Sequence, residues 1–562
     1  LGQVELAAGD GEAALTAFAR AATTLGDVVR EQQMWRRAGA ASAFAARFQQ
    51  TLAGARRAFE LATANGDPVA LLRRLYAVVQ AFHGFESACA GGDPALIHGD
   101  DPEVLPLLQE LRAAQQQHAA LLARPSANPI AERRRTQQLA AAGRRIDQAD
   151  AALEALARAR VPELARRRAH DLAAVQRSLA PGELLVECCD AGSCAFAFLI
   201  GRDHARLATL PSGASWDLLS TTTLGHIENG REDAAAAGLQ RLAAALWPEG
   251  SAFAAALARP EVQRLLWSPE GRFAALPMAA LPWRDTALAR RLPIVHCVSG
   301  DRLADQRASP GPRRERGELR LLAVGRPASS SAAIRRLRQH RLVDHGSFPE
   351  LPESAAEVRD VAACYGSAAE REVLLALRGD ELHASPERCG ERFRLLVGSG
   401  AEEAAVIAAS GDCDVLHFAC HAAAEPGEPW LSFLVLALGP VAANVADGDD
   451  GLLRLSEWWR LRGPRELVVL SACRTAVATG GTHDVVGGLA WAAQMAGARR
   501  VLASLWSVED TAARAFAVAF HREYVERGRA AADALATVQR QAIAAGRPLR
   551  DWAGFVLWGE PE

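Results

Sequence analysis

Between residue 319 and the end of the chain, six short apolar runs recur, most of them separated by stretches of helical periodicity. The runs are Leu319–Gly325, Arg394–Val397, Asp414–Cys420, Leu431–Leu438, Leu467–Ala472 and Arg500–Trp506. The helical stretches are 354–364, 401–410, 485–496 and 510–527. A strand buried on both faces reads as a continuous apolar run. Alternation of such strands with helices calls for a mostly parallel sheet covered on both sides. Ser354 and Glu357 have the spacing of a capping box at the start of the first helix, and Gly497 suits the end of the third. At 562 residues the chain is too long for one core, so further domains must precede this part.

The first hundred residues read as helices. Leu1-Gly2, Leu6, Gly9-Asp10, Ala14, Phe18 and Ala21 resemble a tetratricopeptide repeat entered partway through its first helix. Small residues at 14 and 21 let two helices approach, and Phe18 fills the gap between them. The same element returns at Ala55, Phe59 and Ala62, at a spacing longer than the usual one of about 34 residues. Residues 1–100 are therefore expected to be tetratricopeptide-like helices with the start of the array missing, and 101–178 a long helical connector. The period changes near Ala180-Pro181-Gly182, where Glu183–Glu187 and Ala195–Ile200 read as strands. That opens a second α/β segment over 179–302. Residues 303–318 are Arg-rich and read as an exposed linker to the segment 319–562.

Charge and composition exclude several classes. The 63 basic residues, all Arg, nearly balance 66 acidic ones, which gives no support to direct nucleic-acid binding. No run of 18 uncharged apolar residues exists, so no membrane span is expected. The ten cysteines form no C-x-x-C pair, which argues against a zinc ribbon or a redox dithiol. Scattered thiols suit a reducing, cytoplasmic setting. No metal or cofactor is called for.

Two strand ends carry the chemistry. One is Asp-Val-Leu-His-Phe-Ala-Cys-His at 414–421, and the other is Leu-Val-Val-Leu-Ser-Ala-Cys-Arg-Thr at 467–475. Ligands of open α/β sheets bind at the carboxyl ends of strands, which is where His421 and Cys473 fall. A nucleophilic Cys needs a base or a cationic neighbour, and a His on an adjacent strand end supplies one. His417 and His421 point to one face, but at about 3.3 Å per residue they lie roughly 13 Å apart. Only His421 reaches the carboxyl end, so His417 is read as an interior histidine with its hydrogen bonds satisfied. Phe516, Phe520 and Tyr524 share a helix face and read as core.

These segments, taken in order, resemble the CHAT domain, a caspase-like cysteine peptidase module often found behind tetratricopeptide repeats. The matching stretches include HFACH at 417–421, Gly451-Leu452-Leu453 leading to LVVLSACRT, GLAWAAQMAGARRVLASLWSVED at 488–510 and DWAGFVLWGEP near the end. The resemblance covers about 180–562, with 179–302 as a degenerate caspase-like first half and 319–562 as the catalytic half. It implies a caspase-like α/β fold, a mostly parallel sheet flanked by helices, behind an all-α repeat region.

The resemblance further implies a Cys473–His421 dyad that cleaves a protein substrate through an acyl-enzyme. Backbone N–H groups of Ala422 and Cys473 would form the oxyanion hole. The family has Gly after the His, which permits positive φ and close approach of a carbonyl, whereas this chain has Ala422. Trp506 and Asp510 fall where related enzymes line the pocket for the residue before the cut. A carboxylate there would favour a basic residue, while Ser507-x-x-Asp510 also reads as the start of a helix. The helical region would bind a regulatory protein or ligand, in settings such as bacterial defence or programmed cell death. A competing reading keeps the helices as a non-catalytic interaction scaffold with a pseudo-caspase domain, which Ala422 and the irregular repeat favour.

Overall fold

The apolar runs become strands because each can be buried on both faces while its backbone groups pair with neighbours. The computed structural model describes residues 2–32, 38–64, 66–89, scattered positions in 106–121, 128–160, 170–308, 314–327, 351–377, 387–423, 433–437, 451–461, 465–471 and 489–562. Among these, twelve strands form one sheet. In chain order they are β1 (Glu183–Asp190), β2 (Ala195–Ile200), β3 (Ala205–Leu210), β4 (Arg264–Ser268), β5 (Ile294–His296) and β6 (Leu321–Pro327). There follow β7 (Glu387–Cys389), β8 (Phe393–Gly398), β9 (Val415–Ala419), β10 (Leu467–Leu470), β11 (Arg500–Ser504) and β12 (Phe555–Gly559). Their spatial order is β3-β2-β1-β4-β5-β12-β11-β10-β9-β6-β8-β7.

The sheet is mixed and flanked by helices, with two parallel blocks. One block comprises β1, β4, β5 and β12, and the other β11, β10, β9, β6 and β8. The blocks meet where β11 and β12 pair antiparallel over five residues. Antiparallel strands also close both edges. The segments 179–302 and 319–562 therefore contribute to one continuous sheet.

Three sequence expectations change here. The run Leu431–Leu438 is not a sheet strand of this series. Its Phe433–Val435 pairs antiparallel with Ala422–Ala423 and Leu452–Arg454 in a separate three-stranded sheet, because apolarity reports burial and not the partner. The stretch 303–318 is not wholly an exposed linker. It begins inside the helix Gly300–Ala308, with Leu303 and Ala304 buried and Arg307 bound to Glu183 at 2.7 and 2.9 Å. Residues 309–313 lie outside the described residues. Ser354 and Glu357 do not form a capping box either, since the helix is Pro352–Ala363 and Glu357 bonds elsewhere.

The amino-terminal helices are Gly2–Ala7, Gly11–Gln32, Ala38–Ala62 and Pro68–Cys89. Phe18 is buried between Gly2 and Gly54, where a Cβ on Gly54 would come within 2.5 Å of its ring. Helices of 22 and 25 residues are longer together than a unit of about 34 residues allows. This layer docks on β1 through a buried carboxylate. The Tyr76 hydroxyl and the Gln80 amide donate to Glu187 at 2.8 and 3.1 Å, and the Gly300 N–H donates at 3.2 Å.

A second buried polar group lies within the first parallel block, on β5. His296 pairs with Trp558 of β12 and rests edge-on against its ring at 5.1 Å. Burial pushes this imidazole down to about 3. The folded chain therefore keeps it neutral, while the unfolded chain protonates it below about pH 6.5. The stability it contributes is complete above that value and is lost as pH falls from about 6.5 toward about 3. Between about pH 7 and pH 5, the wild type should lose about 2 kcal/mol more unfolding free energy than His296→Phe. Urea unfolding at several pH values checks this, and parallel profiles for the two proteins would contradict it.

Candidate active site

β9 and β10 are buried throughout and lie parallel, with His417 beside Val469 and Phe418 beside Leu470. The pairing extends one bond further, since the Ser471 N–H donates to the Phe418 carbonyl at 2.9 Å. Each pair in this ladder is separated by 52 residues of sequence. Past β9 the chain runs through Cys420 and His421 into Ala422–Ala423. The Val435 N–H donates to the His421 carbonyl at 2.8 Å, which pins the backbone as it leaves the sheet.

His421 is half-buried and lines a cleft of about 450 Å3, open mouth included, at the carboxyl ends of the strands. Ser471 after β10 and Ser504 at the end of β11 share that cleft. Ala422 is extended and paired as a strand. Among the described residues the one non-glycine with positive φ is Arg284, so the strain expected of Ala at position 422 does not arise. Cys473 lies outside the described residues, and with it the Cys473 half of the expected oxyanion hole.

The opposite wall comes from two helices, Pro352–Ala363 and Asp510–His521. Gly325 in β6 lets the first helix press close, because a Cβ there would stand 2.7 Å from Val358 and 2.8 Å from the Ser354 carbonyl. Arg514 ties the helices together by donating to Glu353 at 2.5 Å and to Asp360 at 3.0 and 2.5 Å. Asp510 starts its own helix and accepts the Glu353 N–H of the other at 2.7 Å. Asp510 is among the residues that line the cleft. Burial raises the Asp510 carboxyl, the N–H of Glu353 opposes that, and the like charges of Glu357, Glu353 and Glu509 add to it. Trp506 is a correction. It is not among the residues lining the cleft; its indole is buried against Gly554 and donates to the Arg550 carbonyl at 2.9 Å.

The sequence missed Glu357, which also lines the cleft. It is 1% exposed and lies 2.9 Å from His417 Nε2. His417 Nδ1 is 3.2 Å from His521 Nε2, and His521 Nδ1 is 3.1 Å from the Tyr365 hydroxyl. All four residues are buried. Burial, with His417 beside it, holds His521 well below its ordinary value, and burial holds Tyr365 well above its own. His417 is thus the satisfied interior histidine that its position implied. The apolar context of Glu357 and its distance in sequence concealed the partnership.

Five of the other thiols are buried and raised above their ordinary range. Burial pushes Cys413 up to about 11 and Cys364 up to about 12, and raises Cys188, Cys189 and Cys297 as well. Among the described residues no group of three His, Cys, Asp or Glu is arranged to hold a metal, and no helix is long and apolar enough to cross a membrane.

A family model of the CHAT domain matches residues 233–560, more than half of the chain, and the chain belongs to that family. No curated protein matches. Among solved structures, the Arg-specific cysteine proteinase gingipain R overlaps with a TM-score of 0.32 at 10% identity, covering 60% of this chain and 69% of that one. Separase from the Saccharomyces cerevisiae separase–securin complex overlaps with a TM-score of 0.41 at 9% identity. That match covers 92% of this chain and 37% of separase; a second separase structure gives 0.40 and 49% of its chain.

The buried histidine chain gives a stability test. His417→Phe leaves the Glu357 carboxylate buried without its donor and should cost about 3–5 kcal/mol. Tyr365→Phe removes one terminal hydrogen bond and should cost about 1 kcal/mol. Denaturant unfolding measures both, and equal small losses would contradict the network.

Proposed function

We propose that the chain is a cysteine endopeptidase that cleaves a protein substrate with a Cys473–His421 dyad. The observation that supports it most is the β9–β10 register. The ladder offset of 52 residues is also the separation of His421 from Cys473 in sequence, so the two stand at one level on neighbouring strands if the register continues. His421 lining an open cleft at the carboxyl ends of the strands adds to this. In the reaction the Cys473 thiol passes its proton to His421 and the sulfur attacks the scissile carbonyl. His421 then protonates the leaving amine, and water releases the acyl group. The N–H groups of Ala422 and Cys473 would hold the oxyanion.

Asp510 in the cleft wall supports a basic residue before the cut. The helical layer docked on β1, with its resemblance to tetratricopeptide repeats, supports a regulatory protein or ligand as the partner that governs access. Bacterial defence or programmed cell death is the setting we attach to this reading, in a cytoplasmic location. The scaffold alternative drew on Ala422, and the extended backbone there removes that ground.

Cys473→Ala should abolish cleavage of the native substrate while leaving the unfolding midpoint unchanged. Proteolysis assays with the full chain measure this, and undiminished cleavage by the variant would reject the dyad.

A further inference from the structure

The cleft has two carboxylates and no cation among its described lining residues. Asp510 uses Oδ2 for the Glu353 N–H, and Glu357 uses Oε1 for His417; the second oxygen of each takes no hydrogen bond among the described residues. Arg514, on the same helix as Asp510, is committed to Glu353 and Asp360. Among the described lining residues, these two carboxylates face the cleft with no Arg beside them to balance their charge.

Glu357 is the less expected of the pair, because a carboxylate this buried persists only when donors hold it. With the Glu357 carboxyl oxygen as the terminal acceptor, one set of donors satisfies every contact. His417 Nε2–H donates to Glu357, His521 Nε2–H donates to His417 Nδ1, and the Tyr365 hydroxyl donates to His521 Nδ1. The chain ends in the core, so it serves no proton exit. It fixes the orientation of the His417 ring and thereby the direction in which the Glu357 carboxyl group points.

We propose that Glu357 is a specificity-determining residue of this cleft, and that His417, His521 and Tyr365 are positioning residues that aim its carboxylate. Together Glu357 and Asp510 receive an arginine guanidinium immediately before the cleaved bond and discriminate against lysine. A planar fork of five donors engages two separated acceptors at once, whereas an ammonium acts as a point charge. This proposal rests on the peptidase reading above.

The test uses the full chain and peptidyl acyloxymethyl ketones that differ only in their last residue: arginine, lysine or uncharged citrulline. Labelling of Cys473 is followed by intact mass. The wild type should react about tenfold or more faster with the arginine probe than with citrulline, and faster than with lysine. Glu357→Gln should lower the arginine-to-citrulline ratio about tenfold. Tyr365→Phe, the milder variant should Glu357→Gln fail to fold, should lower it about threefold, a shift that loss of stability alone does not produce. An unchanged ratio in variants still labelled at Cys473 overturns this proposal alone. Failure of every probe to label the wild type overturns the peptidase reading and this proposal with it.

Discussion

The parallel pairing of β9 with β10 is the constraint on which the rest of the structure depends. Both strands are buried on both faces, so sliding one past the other by a single residue would turn every side chain over. Their register is thereby fixed, and with it the level at which each chain leaves the sheet. On one side that exit carries His421, pinned by Val435; on the other, the last described bond is at Ser471. The proposed dyad sits just past the point where burial stops dictating the residues.

The second wall of the cleft shows how a polar network is tolerated next to that core. Glu357, His417, His521 and Tyr365 are all buried, and each contact is satisfied by the next. Isolated, any of these groups would be costly; linked, they specify one arrangement. Arg514 and the Glu353–Asp510 bond then hold the two helices whose ends frame the cleft. A carboxylate at the start of one helix caps the other, which couples the wall to the position of both. The amino-terminal helices are anchored far from this cleft, on Glu187 of β1, so the same device of a buried carboxylate serves docking at one place and the cleft at another.

Much of this was legible in the sequence wherever burial imposes a pattern. The runs at Asp414–Cys420, Leu467–Ala472 and Arg500–Trp506 became neighbouring strands, and Phe516, Phe520 and Tyr524 are core. Leu431–Leu438 misled because an apolar run reveals burial without naming its sheet. β5, β7 and β12 were missed because strands of three residues, or ones ending in Trp558 and Gly559, carry little periodicity. Asp510, placed after β11, lines the cleft, while Trp506 beside it turns inward to Gly554. Glu357 was read only as a helix cap, because its spacing from Ser354 imitates one and its partner His417 is 60 residues away.

The account stands on Cys473 and His421 acting as a pair, and the most direct measurement is the pH dependence of Cys473 alkylation by iodoacetamide in the full chain. A thiol paired with an imidazole should react well below the ordinary thiol range near pH 8.5, and His421→Ala should move its midpoint up by about one unit or more. Coincident profiles for the wild type and His421→Ala would contradict the account.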